Sequence, residues 1–242
     1  MRAAIRDEVG GKRNRSWSYF FRKPVILHAG FRIAIKLFVV VNGKMSYSDF
    51  DLKKIKAEFK LKIIETEDLF SQVEPVEISS LLVETLKQNV PIALAIATEK
   101  ASSELIIINV LLEIKRQLQI SFFSGIDFSV DKEKGLNGFC NFIISKSPEQ
   151  LYLDTPVVVL VEAKNEKIVG GLGQCIAEMV AAEIYNQQDG KDIPFIYGAV
   201  TTGLGWKFLK LEKNLVFIDV ENYYIKDSRK IVGILVEMIK SI

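Results

Sequence analysis

The sequence predicts an α/β domain in which a mixed sheet lies between helices, preceded by a small N-terminal helical annex. From Thr98 onward, the patterns follow the order helix, strand, strand, strand, helix, strand, which is typical of α/β architecture. Five consecutive apolar residues, Val157 to Val161, predict a strand that is buried on both faces. The 242 residues, 49% of them hydrophobic and 26% charged, are enough for one large domain and exclude a wholly disordered protein.

Residues 1–44 differ from the rest of the chain in charge. They hold ten basic and only two acidic side chains, although the net charge of the whole chain is only +2. A basic arm is typical of a nucleic-acid or membrane contact, or of an extension that does not belong to the fold. The abrupt change in charge favours the hypothesis that Met45 is the natural first residue. The apolar run Ile33 to Val41 is far shorter than the roughly 20 residues of a membrane span.

The cysteines and the histidine limit the chemistry. Cys140 and Cys175 lie in predicted regular structure and suggest no disulfide framework, which indicates a reducing compartment and therefore a cytoplasmic protein. The single histidine, His28, argues against histidine-based zinc sites and weakens the case for Ser-His or Cys-His catalysis.

Two helices are predicted in the annex, residues 45–97. The first begins near Ser48 or Asp49, either of which can act as the N-cap, and its apolar positions are Phe50, Ile55 and Phe59. The second covers Glu77 to Gln88, where leucines recur at helical spacing. Pro91 follows it closely and is expected to end it.

The stretch from Thr98 to Leu118 contains opposing signals. Its β-branched triplet, Ile106 to Ile108, favours a strand, whereas its length and flanking charges favour a helix that Thr98 caps. We predict the helix. At regular helical spacing, Glu104 then lies on an inward, apolar face that it shares with Ala101, Ile108 and Leu111.

The remaining elements alternate between strands and helices. A charged turn that ends in Gly135 separates two strand-like runs and predicts an antiparallel hairpin. The predicted elements after Thr98–Leu118 are strands Gln119–Val130, Leu136–Ser145, Val157–Lys164 and Ile193–Thr201, a helix Leu172–Gln187, a second hairpin Trp206–Leu211 and Leu215–Val220, and an amphipathic helix Ser228–Ile239.

Chemistry concentrates at the end of the central strand. Glu162 and Lys164 point to the same side of that strand because strand side chains alternate. A carboxylate and an ammonium at the end of a buried strand are costly unless they pair or bind something. Gly170 to Gly173 predict a glycine-rich turn, after which Gln174 opens a helix and Glu178 follows one turn later.

Several tracts resemble the PD-(D/E)xK nuclease superfamily, which has the restriction-endonuclease-like fold. The central feature is Glu-x-Lys at the end of a buried strand. The tracts that carry the likeness, to a bacterial branch of this superfamily, are T-E-K-A-S-S-E-L-I from Thr98, G-L-N-G-F-C from Gly135, V-E-A-K-N from Val161, G-L-G-Q-C-I-A-E-M from Gly171 and V-T-T-G from Val200. The resemblance covers Thr98 to Thr202 and implies a restriction-endonuclease-like core.

The resemblance also implies a metal-dependent nuclease that hydrolyses phosphodiester bonds, with Mg²⁺ or Mn²⁺ as cofactor and DNA as the expected substrate. A metal ion neutralises the phosphate and activates water, and Mg²⁺ takes oxygen ligands. In that role Glu162 supplies a carboxylate and Ala163 a backbone carbonyl, while Lys164 holds water or stabilises charge on the phosphorane. Gln174 positions water or nucleic acid, and Glu104 matches the superfamily's glutamate on the first helix.

One residue departs from the superfamily pattern. The superfamily has an aspartate on the middle strand, and the matching residue here is Asn141, which is the remaining candidate metal ligand. An amide oxygen can bind Mg²⁺ but brings no negative charge. A second function is therefore open, in which the chain is a catalytically degenerate nuclease-fold protein that binds nucleic acid or a protein partner. Asp127, Asp131 and Asp154 are the carboxylates that could compensate.

The candidate residues also have structural explanations. An ion pair at a strand end also explains Glu162 and Lys164, but the buried strand, the glycine-rich turn and Gln174 together favour a functional site. For Glu104, a pair with a lysine is as good an explanation as a functional role. Lys207 and Lys210 are candidate phosphate contacts or members of a solvated strand face. Many nucleases of this fold act as dimers, so the resemblance makes a homodimer the default assembly, with nucleic acid and no membrane as partner.

Overall fold

The computed structural model describes residues 45–242, which form a mixed, eight-stranded sheet flanked by helices and confirm the predicted α/β class. The helices are α1 (Leu52–Glu58), α2 (Ser80–Ile96), α3 (Glu99–Ser102), α4 (Ile108–Gln117), α5 (Val169–Gln188) and α6 (Ser228–Lys240). The strands are β1 (Lys62–Ile64), β2 (Ser121–Asp127), β3 (Phe139–Ser145), β4 (Val157–Ala163), β5 (Ile196–Thr201), β6 (Gly205–Glu212), β7 (Leu215–Ile218) and β8 (Tyr223–Tyr224). The basic stretch 1–44, with His28 and the Ile33–Val41 run, lies outside the described residues.

The sheet has the strand order β1-β7-β6-β5-β4-β3-β2, and β8 pairs with β6 beside this row. The pairs β4–β5 and β1–β7 are parallel, whereas the other pairs are antiparallel. Both predicted hairpins, β2–β3 and β6–β7, are confirmed. The two shortest strands, β1 and β8, have too few residues for a readable alternation and were not predicted.

The central strand β4 is buried along its whole length, as predicted. Val161 and Ala163 face a core that includes α4 and α6, and Leu160 faces a second core that includes α5. Burial on both faces explains why β4 is an uninterrupted apolar run instead of an alternating one. Glu162 is on the α5 side of the strand, opposite Val161, because side chains alternate.

The predicted annex contains more than helices. β1 joins the main sheet beside β7, and α1 begins only after Asp51, whose carboxylate accepts the Lys54 N–H at 2.8 Å. The predicted start at Ser48 or Asp49 is wrong because these residues form a short 3₁₀ turn, Tyr47–Asp49, and Phe50 then adopts an extended backbone. The N-cap of α1 is therefore the next acidic residue, Asp51.

Helix α2 is longer than predicted and includes Pro91. Proline has no N–H, so the carbonyl of Lys87 loses its helical hydrogen bond. Both residues are exposed, and water can therefore hydrogen-bond to that carbonyl. Helix α2 continues because the next turn buries Ala93 in the core, and the prediction that Pro91 ends the helix is wrong.

The predicted glycine-rich turn is also wrong, because Gly170, Gly171 and Gly173 lie inside the first two turns of α5. A Cβ on Gly171 would come within 2.7 Å of the Val200 side chain and within 2.9 Å of Lys164. A Cβ on Gly173 would come within 2.5 Å of the carbonyl oxygen of Phe50. Two of these glycines therefore serve close packing, and the chain needs no turn there.

None of the helices in residues 45–242 combines the length and the apolar character that crossing a membrane requires.

Candidate functional site

The site is built around the end of β4. Glu162 is almost completely buried, with 1% of its side chain exposed, while 25% of the Lys164 side chain is exposed. The Lys164 ammonium donates to Oε1 of Glu162 at 2.5 Å, as expected from two residues on one side of a strand. Lys164 stays in line with β4 because its N–H donates to the Thr201 carbonyl at 2.8 Å.

Helix α5 completes the surroundings of Lys164. The Lys164 Nζ donates a second hydrogen bond to Oε1 of Gln174 at 3.1 Å. Gln174 in turn donates through Nε2 to Oε1 of Glu178 at 3.1 Å. The missing side chain at Gly171 leaves the space through which Lys164 reaches Gln174. The structure therefore joins three predicted site residues, Glu162, Lys164 and Gln174, into one hydrogen-bonded row.

The row ends at Glu178, which was not among the predicted site residues. Glu178 is fully buried on α5, one turn after Gln174. Within residues 45–242, Oε2 of Glu178 and Oε2 of Glu162 are both buried oxygens without a hydrogen-bond partner. The sequence signal was the spacing of four between Gln174 and Glu178, which places both on one helix face, in a helix that is otherwise mostly apolar.

The two carboxyl groups influence each other. Burial raises the pKa of Glu162 to about 7, although the Lys164 ammonium acts against this rise. Burial also raises the pKa of Glu178 well above its ordinary value, and the charge of Glu162 adds to that rise. Burial and the charge of the neighbouring carboxyl group therefore both favour protonated forms of this pair. When both groups are ionised, neither has a proton to donate, and the two Oε2 atoms lack a partner.

Asn141 lies beside Glu162, as predicted. The register of β3 on β4 pairs Phe142 with Val161, so one further step places Asn141 opposite Glu162. Oδ1 of Asn141 accepts the backbone N–H of Ala163 at 3.0 Å. One lone pair of this amide oxygen is thus used to hold the end of β4, and the second lone pair is left for another partner.

Glu104 is not where the regular helical spacing places it. Its side chain is 60% exposed and pairs with Lys100 at 2.7 Å, so the prediction of an inward face is wrong. Residues Ser103–Ile107 form a π-helical segment that interrupts the 3.6-residue period, and the buried stripe passes through Ile106 and Ile107 instead. On the same helix, Glu99 is the carboxylate whose charge reaches Glu162 and raises the pKa of Glu162.

Lys207 is held inside the chain. Its Nζ donates to the carbonyls of Asp219, Val220 and Glu221 at 2.8, 3.2 and 2.9 Å. Burial lowers the pKa of Lys207. The pairing of Glu162 with Val200, and of Val200 with Lys207, puts this lysine two strands from the site. Its contacts favour a structural role at the end of β7 over a phosphate contact.

Lys210 is likewise occupied. Its Nζ lies 3.2 Å from a carboxylate oxygen of Glu212 and within 4.9 Å of the ring centres of Phe195 and Phe217. A lysine that contacts two aromatic rings and a carboxylate is already stabilised within the chain. These contacts differ from the expected solvated strand face, because the ammonium groups of Lys207 and Lys210 both contact other groups of the chain.

Comparison of the chain with protein-family models and with curated proteins finds no match. The assignment of chemistry therefore depends on the side chains themselves. They form one buried row, Glu162–Lys164–Gln174–Glu178, with Asn141 beside it, at the carboxyl end of β4.

Proposed function

We propose that this chain is a metal-dependent nuclease that hydrolyses phosphodiester bonds, with DNA as the expected substrate. The observation that carries the proposal is the hydrogen-bonded row in which Lys164 lies between Glu162 and Gln174. The row stands at the carboxyl end of a central strand whose next neighbour, β5, is parallel to it. That edge is where open α/β sheets commonly bind ligands.

The order of elements supports a restriction-endonuclease-like core. The helix formed by α3 and α4 is followed by β2, β3, β4, α5 and β5. Strands β2, β3 and β4 are antiparallel neighbours, and β5 is added parallel to β4 after the crossover helix α5. This is the helix–strand–strand–strand–helix–strand order of the superfamily, and it puts the Glu-x-Lys residues at the end of the third strand.

A divalent cation fits the donor atoms at this site. Mg²⁺ typically takes only one or two carboxylates and completes its shell with water and substrate. Oε2 of Glu162 is an unpartnered carboxylate oxygen within the described residues, and Oδ1 of Asn141 has a lone pair to spare. No group of three or more His, Cys, Asp or Glu side chains in residues 45–242 is arranged as a metal site. The Ala163 carbonyl and water would therefore complete the ligand set.

Lys164 and Gln174 would have different roles in catalysis. A bound cation supplies charge neutralisation at the phosphate and a lower pKa for water. Lys164 is the cationic member of the row that reaches solvent, so its Nζ donates to a phosphate oxygen and stabilises the charge of the transition state. Gln174 holds the same Nζ from the α5 side, which orients Lys164 before substrate binds.

Cleavage assays test the proposal. We would incubate wild type, Lys164→Ala and Lys167→Ala with single- and double-stranded DNA and RNA in Mg²⁺ or Mn²⁺. Lys167 is a nearby exposed lysine outside the row and serves as the matched control. We expect wild-type cleavage that Lys167→Ala retains and that Lys164→Ala lowers at least about a hundredfold. Equal cleavage by Lys164→Ala and wild type would contradict the role of Lys164.

One observation favours the second function, a nuclease-fold protein without catalysis. Oδ1 of Asn141 already accepts the Ala163 N–H and carries no charge, so it is a weaker metal ligand than an aspartate. The variant Asn141→Asp separates the two functions, because its carboxylate can accept the same N–H and add negative charge. Cleavage by Asn141→Asp but not by wild type would identify a degenerate nuclease. If neither wild type nor Asn141→Asp cleaves nucleic acid, the result would favour a binding module.

A further inference from the structure

The two carboxylates of the row are alike in how their oxygens are used. In Glu162, Oε1 accepts from Lys164, and in Glu178, Oε1 accepts from Gln174. In each residue the other oxygen, Oε2, is buried and has no partner within residues 45–242. A buried polar atom without a partner costs about 1–3 kcal/mol, and more when it is charged. These two oxygens belong to neighbouring carboxyl groups, and a cation held by both of them would satisfy both.

We propose that Glu178 is a metal ligand that replaces the aspartate missing at Asn141, so that Oε2 of Glu162 and Oε2 of Glu178 would both hold a divalent cation. The inference rests on the proposed nuclease function for the identity of the cation. It differs from the superfamily pattern because the second carboxylate comes from helix α5 instead of the middle strand.

Charge supports this assignment. With Asn141 uncharged, Glu162 is the only acidic side chain on β3 or β4 at this position, and its charge is already balanced by Lys164. A site of that composition has no net negative charge with which to attract a cation. An ionised Glu178 supplies the missing charge and brings the number of carboxylates to two, within the one or two that Mg²⁺ typically uses.

Packing explains how a helix residue reaches the strand end. Gly171 permits α5 to approach Val200 and Lys164, and Gly173 permits the backbone of Phe50 and Asp51, just before α1, to lie directly against α5. Helix α5 therefore packs closely against β4, and the residues one and two turns after Gly171 face the strand end. Gln174 also holds Oε1 of Glu178, which leaves Oε2 as the carboxylate oxygen of Glu178 without a partner.

Titration calorimetry with Mn²⁺ tests the inference without using catalysis. We would compare wild type with Glu162→Gln, Glu178→Gln and the matched control Glu183→Gln, which lies on the same helix and is half-buried. We expect Mn²⁺ binding that Glu183→Gln retains within twofold and that Glu162→Gln and Glu178→Gln each weaken at least about tenfold. Thermal unfolding without metal would establish that each variant is folded.

A rescue variant separates loss of a ligand from loss of structure. Adding Asn141→Asp to Glu178→Gln returns a carboxylate to the other side of Glu162, and we expect Mn²⁺ affinity to recover within a few-fold of wild type. If Glu178→Gln binds Mn²⁺ as wild type does while Glu162→Gln does not, the inference is overturned and the nuclease proposal stands. If wild type binds no Mn²⁺ at millimolar concentration, both are overturned.

Discussion

The burial of Glu162 makes the stability of this protein depend on pH in a way that one substitution should remove. In the folded state, burial raises the pKa of Glu162 from its ordinary value of 4.5 to about 7. The folded protein therefore holds this proton more tightly than the unfolded chain does. We predict that Glu162→Gln, which keeps the shape of the side chain but cannot ionise, removes this part of the pH dependence.

The sign and size follow from linkage. A group whose pKa is raised by folding stabilises the protein fully below its unfolded pKa, here 4.5, and this contribution is lost as pH rises through about 7. A rise from 4.5 to about 7 corresponds to about 3 kcal/mol. Between pH 5 and pH 8, the free energy of unfolding of wild type should therefore fall by about 2.5 kcal/mol more than that of Glu162→Gln, because part of the contribution is already lost at pH 5.

Urea denaturation followed by circular dichroism at several pH values measures this difference. EDTA must be present so that no divalent cation competes with the proton for the carboxylate. Glu104→Gln is the control, because Glu104 is 60% exposed and its loss should leave the pH dependence of wild type unchanged. If wild type and Glu162→Gln lose the same free energy of unfolding between pH 5 and pH 8, burial of Glu162 does not raise its pKa and the reasoning fails.

Two further predictions concern packing and capping. Gly173→Ala should destabilise the protein by about 1–3 kcal/mol because its Cβ meets the backbone of Phe50 and Asp51, whereas Gly170→Ala, with open space around it, should stabilise the protein by about 0.5–1 kcal/mol. Thermal unfolding measures both effects, and equal effects would contradict the close approach at Gly173. Glu113→Ala should lower the free energy of unfolding by about 1.5–3 kcal/mol, because the buried carboxylate accepts hydrogen bonds from N and Oγ of Ser79 at 2.8 and 2.6 Å. The control Glu84→Ala, at an exposed residue, should lower it little. An unchanged free energy of unfolding in Glu113→Ala would show that the two hydrogen bonds do not stabilise the protein.

Much of the fold was predictable from local patterns. The run Val157 to Val161 identifies the central strand, and Gly135 marks the first hairpin, because both signals depend only on neighbours in the chain. Alternation along a strand also places Glu162 and Lys164 on one side, which the structure bears out with a direct ion pair. The helix from Thr98 is confirmed as well, with the Thr98 hydroxyl accepting the Ala101 N–H.

The errors share a different cause. Glu104 is exposed because a π-helical segment interrupts the 3.6-residue helical period, and the spacing of apolar residues does not predict that segment. Gly171 and Gly173 predict a turn when only the chain around them is considered. Their lack of side chains is instead required by Val200, Lys164 and the backbone of Phe50 and Asp51, which the folded chain brings to α5.

The composition of the site divides in the same way. The sequence was sufficient to place Glu162 and Lys164 together, because both belong to one strand and the period of a strand is strict. Glu178 and Asn141 join them only through the packing of α5 on β4 and the register of β3 on β4. This packing and this register depend on contacts between residues that are far apart in the chain. Local periodicity carries no information about such contacts, so only the tertiary structure shows that the Glu178 carboxylate lies beside Glu162.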